Sequence, residues 1–224
     1  MSSLRKDIHM LGDSTMCFYT NDRKPRTGWG MKLQPLCHDD IRVRNYAMAG
    51  YSTRNFQNTG YFDLVLKSLR PHDHVIIQFG HNDKHPADFR PLAHTDLNEF
   101  TDNLSSWISQ IRQLGAIPVL CTTTIEWAED GLHEKSALLA KYNAATLECA
   151  AACGADAVDI YGFAYENLRK LPLTEIWQYH MATSGIVDSK NDYCHLKENG
   201  AELYAGWFVE LVKRKNLAIA ECFK

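Results

Sequence analysis

The residues able to do chemistry lie in four separated pieces. Gly12-Asp13-Ser14-Thr15 closes a short apolar run. Gly12 has no Cβ and permits a sharp turn out of a strand, which presents the Ser14 hydroxyl at the strand's carboxyl end. Open α/β sheets bind ligands at that edge. The second piece is Asn45-Tyr46-Ala47-Met48-Ala49-Gly50, and the third is Phe79-Gly80-His81-Asn82-Asp83. Both follow predicted strands. Asp192-Tyr193-Cys194-His195 is the fourth and precedes the last helical pattern. A hydroxyl, an imidazole, a carboxylate and a neutral amide are the side chains of nucleophilic and acid–base chemistry. Taken singly, each piece reads as an ordinary turn, loop glycine or helix cap. Their occurrence together, in this order and each at an element's end, is the specific signal.

The elements that must position these pieces alternate in type. Apolar runs predict strands at Ile8–Leu11, Val43–Ala47, His74–Phe79, Ile117–Thr122 and Ala157–Asp159. Three- and four-residue periodicity predicts helices over Asp96–Leu114, with Thr95 as cap and Gly115 as terminator, over about Glu134–Cys153, and over about Glu198–Leu217. This alternation implies βαβ units and a parallel sheet. Leu171–Asn191 has weak periodicity and is expected as a long surface connection near the site. The 224 residues show no linker or repeat, so a single domain over 1–224 is expected.

A net charge of −3 offers no basic field for nucleic acid, and no apolar run is long enough to span a bilayer. The polar segment Met1–Asp7 leads straight into the first strand, without a signal-peptide pattern. The seven cysteines are odd in number, scattered and without a CxxC pair. Reduced thiols in a cytoplasmic protein are therefore expected, with Cys149 and Cys153 on a buried helix face.

The four pieces resemble the four blocks of the SGNH/GDSL hydrolase superfamily. Gly12-Asp13-Ser14-Thr15-Met16, the Gly28-Trp29-Gly30 loop, Phe79-Gly80-His81-Asn82-Asp83 and His195 followed by Gly200-Ala201 are similar to its rhamnogalacturonan acetylesterase branch. The resemblance spans Ile8 to about Lys213. Tyr193-Cys194 is an unusual filling between Asp192 and His195, and Leu171–Asn191 matches no block. The implied fold is a three-layer α/β/α sandwich on a mostly parallel, five-stranded, flavodoxin-like sheet. The implied activity is release of acetate from acetylated plant-wall oligosaccharides of pectin or xylan type, without cofactor or metal. Nucleic acid and membrane are not expected partners, and a homodimer is one state the sequence leaves open. The alternative is a lipase or thioesterase acting on longer acyl esters.

In that chemistry Ser14 attacks the acyl carbonyl. His195 takes the serine proton and later protonates the leaving alcohol, and Asp192 orients the imidazole. The resemblance assigns the oxyanion to the backbone N–H groups of Ser14 and Gly50 and to the Asn82 amide, with Gly50 suited to close backbone approach. Asp13 and Asp83 are expected to fix their own turns. His81 is expected to orient the Asn82 loop or to touch a substrate hydroxyl. Trp29 and Tyr193 are the aromatic candidates for sugar contact, and Arg54 and Lys84 the candidates for reading an acidic sugar. His72, His74, His81 and His85 cluster in sequence, but they fall at opposite ends of one predicted strand, with no metal-ligand spacing.

Overall fold

Short runs bounded by turn residues form five strands: β1 (Asp7–Gly12), β2 (Arg42–Asn45), β3 (His74–Gln78), β4 (Ile117–Cys121) and β5 (Asp156–Val158). They are mostly apolar except for the edge strand β2, whose sequence is Arg-Val-Arg-Asn. In the computed structural model, which describes residues 6–128, 137–183 and 192–224, they make one sheet in the order β2-β1-β3-β4-β5. Every pairing is parallel. β1 lies between β2 and the central β3, aligning Met10 with Asn45 on one side and Gly12 with Gln78 on the other.

Side chains alternate across the sheet, as a two-residue period requires. Ile8, Met10, Ile76, Val119, Cys121 and Val158 enter one core, and Leu11, Val75, Ile77 and Leu120 enter the other. The second core is closed by α1 (Thr53–Asn58), α2 (Tyr61–Ser68), α3 (Leu97–Gln113) and α4 (Ala137–Ala152). There Phe56, Phe62 and Phe79 surround Trp107. The first core is closed by α5 (Ile160–Leu168), α6 (Leu173–Tyr179) and α7 (Glu198–Arg214). The architecture is thus the expected three-layer sandwich.

Several local expectations change. α3 is capped by Asp96, whose carboxylate accepts the Glu99 N–H at 2.9 Å. Thr95 is buried instead, and its hydroxyl donates to the Ala93 carbonyl. An ionised acid at a helix N-terminus also gains from the macrodipole. The connection after Leu171 is not open loop, because α6 inserts Ile176 into the core. The rest of that connection, 184–191, and the expected start of the helix before Ala137 lie outside the described residues. α1, α2 and α5 span only 6, 8 and 9 residues, too few turns to show a periodic signal.

Ser14 follows β1, Gly50 follows β2 and Asn82 follows β3, so all three lie at the sheet's carboxyl edge. The loop carrying Gly28-Trp29-Gly30 packs over the Ser14 turn, with the Trp29 N–H donating to the Thr15 carbonyl at 2.9 Å. A Cβ on Gly28 would lie 2.0 Å from the Cys17 carbonyl oxygen. Gly28→Ala is therefore expected to cost about 1–3 kcal/mol or more in chemical denaturation and to lower activity with it. Unchanged stability would show that the two segments can separate.

Candidate active site

The turn after β1 is built by Asp13. Its Oδ1 accepts the Thr15 N–H at 2.9 Å and the Thr15 hydroxyl at 2.8 Å. Its backbone carbonyl accepts the N–H groups of Met16 and Cys17. The turn projects the Ser14 hydroxyl to 2.8 Å from His195 Nε2. On the far side of the ring, His195 Nδ1 lies 2.9 Å from both oxygens of Asp192. Asp192 also accepts the backbone N–H groups of Cys194 and His195, so the four-residue loop is organised by its own acid. Burial pushes the Asp192 carboxyl up, but the hydrogen bonds and charge of His195, with Arg26, win and hold it below the usual carboxylate range. The Nη2 of Arg26 donates to Asp192 Oδ2 at 2.8 Å.

Two elements from the unmatched connection hold this loop in place. The Met181 N–H donates to the His195 carbonyl, and the Lys197 N–H donates to the Tyr179 carbonyl. The segment around α6 is therefore a backbone cradle for His195. From the other side, Tyr19 donates its hydroxyl to the Ser14 carbonyl at 2.9 Å.

Ser14, Gly50, His81, Asn82, Asp192, Tyr193 and His195 line one cavity of about 870 Å³. The backbone N–H groups of Ser14 and Gly50 donate to no other group among the described residues. Gly50 meets a backbone requirement as well. Open space surrounds its Cβ position, but its φ of +82° is a conformation that other residues rarely adopt.

His81 is almost fully buried, with Nε2 3.2 Å from the Thr124 hydroxyl and Nδ1 3.6 Å from Cys194 Sγ. Burial lowers its pKa, which favours the neutral ring, and raises the Cys194 thiol well above its ordinary value. His81 thus joins the Asn82 loop to the Asp192–His195 loop while presenting an edge to the cavity.

Trp29 is not a sugar contact. It is fully buried, donates Nε1–H to Gln78 Oε1 at 2.9 Å and stacks on Phe208. An indole beside a glycine-rich loop looks like an exposed platform in sequence, whereas here its polar edge anchors that loop to β3. Arg54 is bound to Glu99 and lies away from the cavity. Lys84 lines the cavity but is buried against Glu126. Asp83 does not close its own turn. Its Oδ1 accepts the Thr53 N–H and hydroxyl, which ties the start of α1 to the Asn82 loop.

Cys149 is buried, whereas Cys153 is only half-buried at the end of its helix. Among the described residues, no group of three His, Cys, Asp or Glu side chains is placed to hold a metal. Sequence reasoning missed Tyr19, Arg26, Phe89, Arg90 and Glu126, all of which line the cavity. Nothing in their spacing marks them. Arg26 stands two residues before Gly28, the only proximity that pointed to it.

With this geometry established, comparison with known proteins assigns the class. The model of the GDSL-like lipase/acylhydrolase family matches residues 8–207, so the chain belongs to that family and is an esterase. Within the SGNH/GDSL superfamily it falls in the rhamnogalacturonan acetylesterase-like branch. It is 27% identical to the probable rhamnogalacturonan acetylesterase YesY of Bacillus subtilis, over 96% of this chain and 95% of that one. It is 31% identical to the rhamnogalacturonan acetylesterase RhgT of the same organism, over 52% of this chain and 48% of that one. The crystal structure of Bacillus subtilis YxiM superposes with a TM-score of 0.80 at 25% identity, covering 96% of this chain and 58% of the other.

One consequence of the burial concerns Asp83. Burial pushes its carboxyl up to about 6, and the hydrogen bonds from Thr53 only partly oppose this. The folded state thus holds this proton more tightly than an unfolded chain does. The resulting stabilisation is complete below the ordinary value of 3.8 and is lost as pH rises through about 6. Asp83→Asn cannot ionise, so its melting temperature should rise relative to the parent between about pH 4 and pH 7. A difference that stays constant over that range would refute the assignment.

Proposed function

We propose that the chain is a carbohydrate O-acetylesterase that works through an acyl-enzyme on Ser14. The observation that carries this reading is the unbroken hydrogen-bond chain Ser14–His195–Asp192 opening on the cavity. Ser14 Oγ attacks the acetyl carbon as its proton passes to His195 Nε2. The carbonyl oxygen becomes an oxyanion facing the N–H groups of Ser14 and Gly50 and Nδ2 of Asn82. Removing one such donor typically costs about 3–4 kcal/mol of transition-state stabilisation. His195 then protonates the departing sugar oxygen, leaving acetyl-Ser14. Water, deprotonated by His195, attacks the acetyl group and restores Ser14 with release of acetate. Asp192 keeps Nδ1 protonated throughout and stabilises the imidazolium.

The acetylated sugar as substrate is supported by the names of the relatives and by the lining. Charged and polar side chains stand around Ser14 in the cavity wall, with Arg26, Lys84, Arg90 and Glu126 among them. A long acyl chain would need an apolar slot there, which disfavours the lipase or thioesterase alternative. Substrates of rhamnogalacturonan type, the whole of 1–224 as one catalytic domain and a cytoplasmic setting belong to the same proposal. The last is supported by the unpaired state of the cysteines. No helix among the described residues is long and apolar enough to cross a membrane.

Ser14→Ala is expected to abolish acetate release from acetylated oligosaccharides, and parent-level turnover would sink the acyl-enzyme reading. Asp192→Asn should lower kcat by about three to four orders of magnitude with the fold intact by circular dichroism. In a nitrophenyl ester series, kcat/KM should peak at acetate. Rates that climb toward longer acyl chains would favour the lipase alternative.

A further inference from the structure

Five charged side chains line the cavity beside Ser14: Arg26, Lys84, Arg90, Glu126 and Asp192. Four of them are matched, Arg26 with Asp192 and Lys84 with Glu126. Arg90 has no carboxylate partner among the described residues. Its Nη1 donates instead to the side-chain oxygen of Asn82, at 3.1 Å. On the other side of the same amide, Asn82 Nδ2 donates to the Tyr51 carbonyl at 2.9 Å.

These two neighbours determine which way the amide points. A guanidinium only donates and a backbone carbonyl only accepts, so Oδ1 must face Arg90 and Nδ2 must face Tyr51. One Nδ2 hydrogen then remains for the cavity that Asn82 lines. The loop that carries Arg90 is itself held. Its N–H donates to the Pro86 carbonyl, its carbonyl accepts the His94 N–H, and Asn55 Nδ2 donates to the Leu92 carbonyl at 2.8 Å.

We propose that Arg90 is a positioning residue for the oxyanion: it holds Asn82 by the amide oxygen and, with its unmatched charge, polarises the amide N–H that faces the reacting carbonyl. The proposal rests on the Ser14 acyl-enzyme reading. A charged donor on an amide oxygen draws electron density from the nitrogen and makes its N–H a stronger donor. The charges of Arg26 and Lys84 are cancelled at short range, so Arg90 is the cation left to polarise the Asn82 amide that faces the growing negative charge. That charge exists only on the way to the tetrahedral intermediate. The benefit therefore falls on kcat and not on ground-state binding.

The test is steady-state kinetics on an aryl acetate with Arg90→Met, Arg90→Lys, Asn82→Ala and the Arg90→Met/Asn82→Ala double variant. Ser14→Ala runs alongside. Arg90→Met should lower kcat by roughly tenfold to a hundredfold with KM within about twofold. Arg90→Lys should restore most of that loss. In the Asn82→Ala background, Arg90→Met should have no further effect.

A raised KM at unchanged kcat would make Arg90 a substrate contact and overturn the proposal. Losses that multiply in the double variant would also overturn it. Arg90 is exposed, so melting temperatures should match the parent. Should the methionine variant fail to fold, Arg90→Ala, which also removes both donor and charge, gives the same reading of kcat. If Ser14→Ala keeps the parent rate, the acyl-enzyme reading fails and this one with it. A Ser14-dependent rate indifferent to Arg90 overturns only the role of Arg90.

Discussion

Gln78 is buried at the carboxyl end of β3, and the parts of the site converge on its side-chain amide. Its oxygen accepts the Trp29 indole N–H at 2.9 Å and lies 3.3 Å from the Thr15 hydroxyl, which donates at 2.8 Å to Asp13. Its nitrogen donates to the Thr122 carbonyl at 2.8 Å. One amide thus joins β3, the turn carrying Ser14, the Gly28-Trp29-Gly30 loop and the end of β4. An uncharged group suits this position, because a buried charge would need a matched partner, whereas an amide can accept and donate at once. Losing it would leave several buried polar groups unpaired together, each at a cost of about 1–3 kcal/mol. The Ser14 hydroxyl owes its aim as much to this junction as to its own turn.

The three acids near the site do different work, and the difference is one of sequence distance. Asp13 and Asp192 each bind backbone N–H groups within three residues, so each makes its own loop. Asp83 reaches Thr53, thirty residues away, and fastens α1 to the loop after β3. That contact brings the Gly50 and Asn82 segments together, since Gly50 lies three residues before the start of α1. The two oxyanion donors proposed after β2 and β3 are therefore spaced by a buried carboxylate.

Charge inside the cavity is mostly cancelled where it arises. The pair Lys84–Glu126 is nearly buried, and such a pair seldom adds stability over an apolar replacement. Its value here is polarity: it keeps the wall beside Ser14 polar without imposing a net charge. Arg26 plays a parallel part toward Asp192, sharing a carboxylate that His195 also uses.

Much of this molecule was readable before any coordinates. Short apolar runs alternating with helical periods define a parallel sheet, because burial on both faces demands such strands. The four blocks fall at strand ends, and topology alone carries strand ends to one rim. Asp192 and His195 lie three residues apart, so their pairing was a local matter. Contacts whose partners are remote in the chain and carry no spacing signature stayed hidden. Trp29 could not be told from a sugar platform until Gln78 was seen to receive its N–H, and Arg26 and Arg90 could not be told from solvated surface cations. The same holds for α6, whose single buried Ile176 gives no periodicity and whose use is backbone support for His195. The sequence by itself determined which groups are available and in which order the sheet delivers them. Tertiary structure alone decided their orientation, because aim depends on polar partners that only folding brings within hydrogen-bond reach.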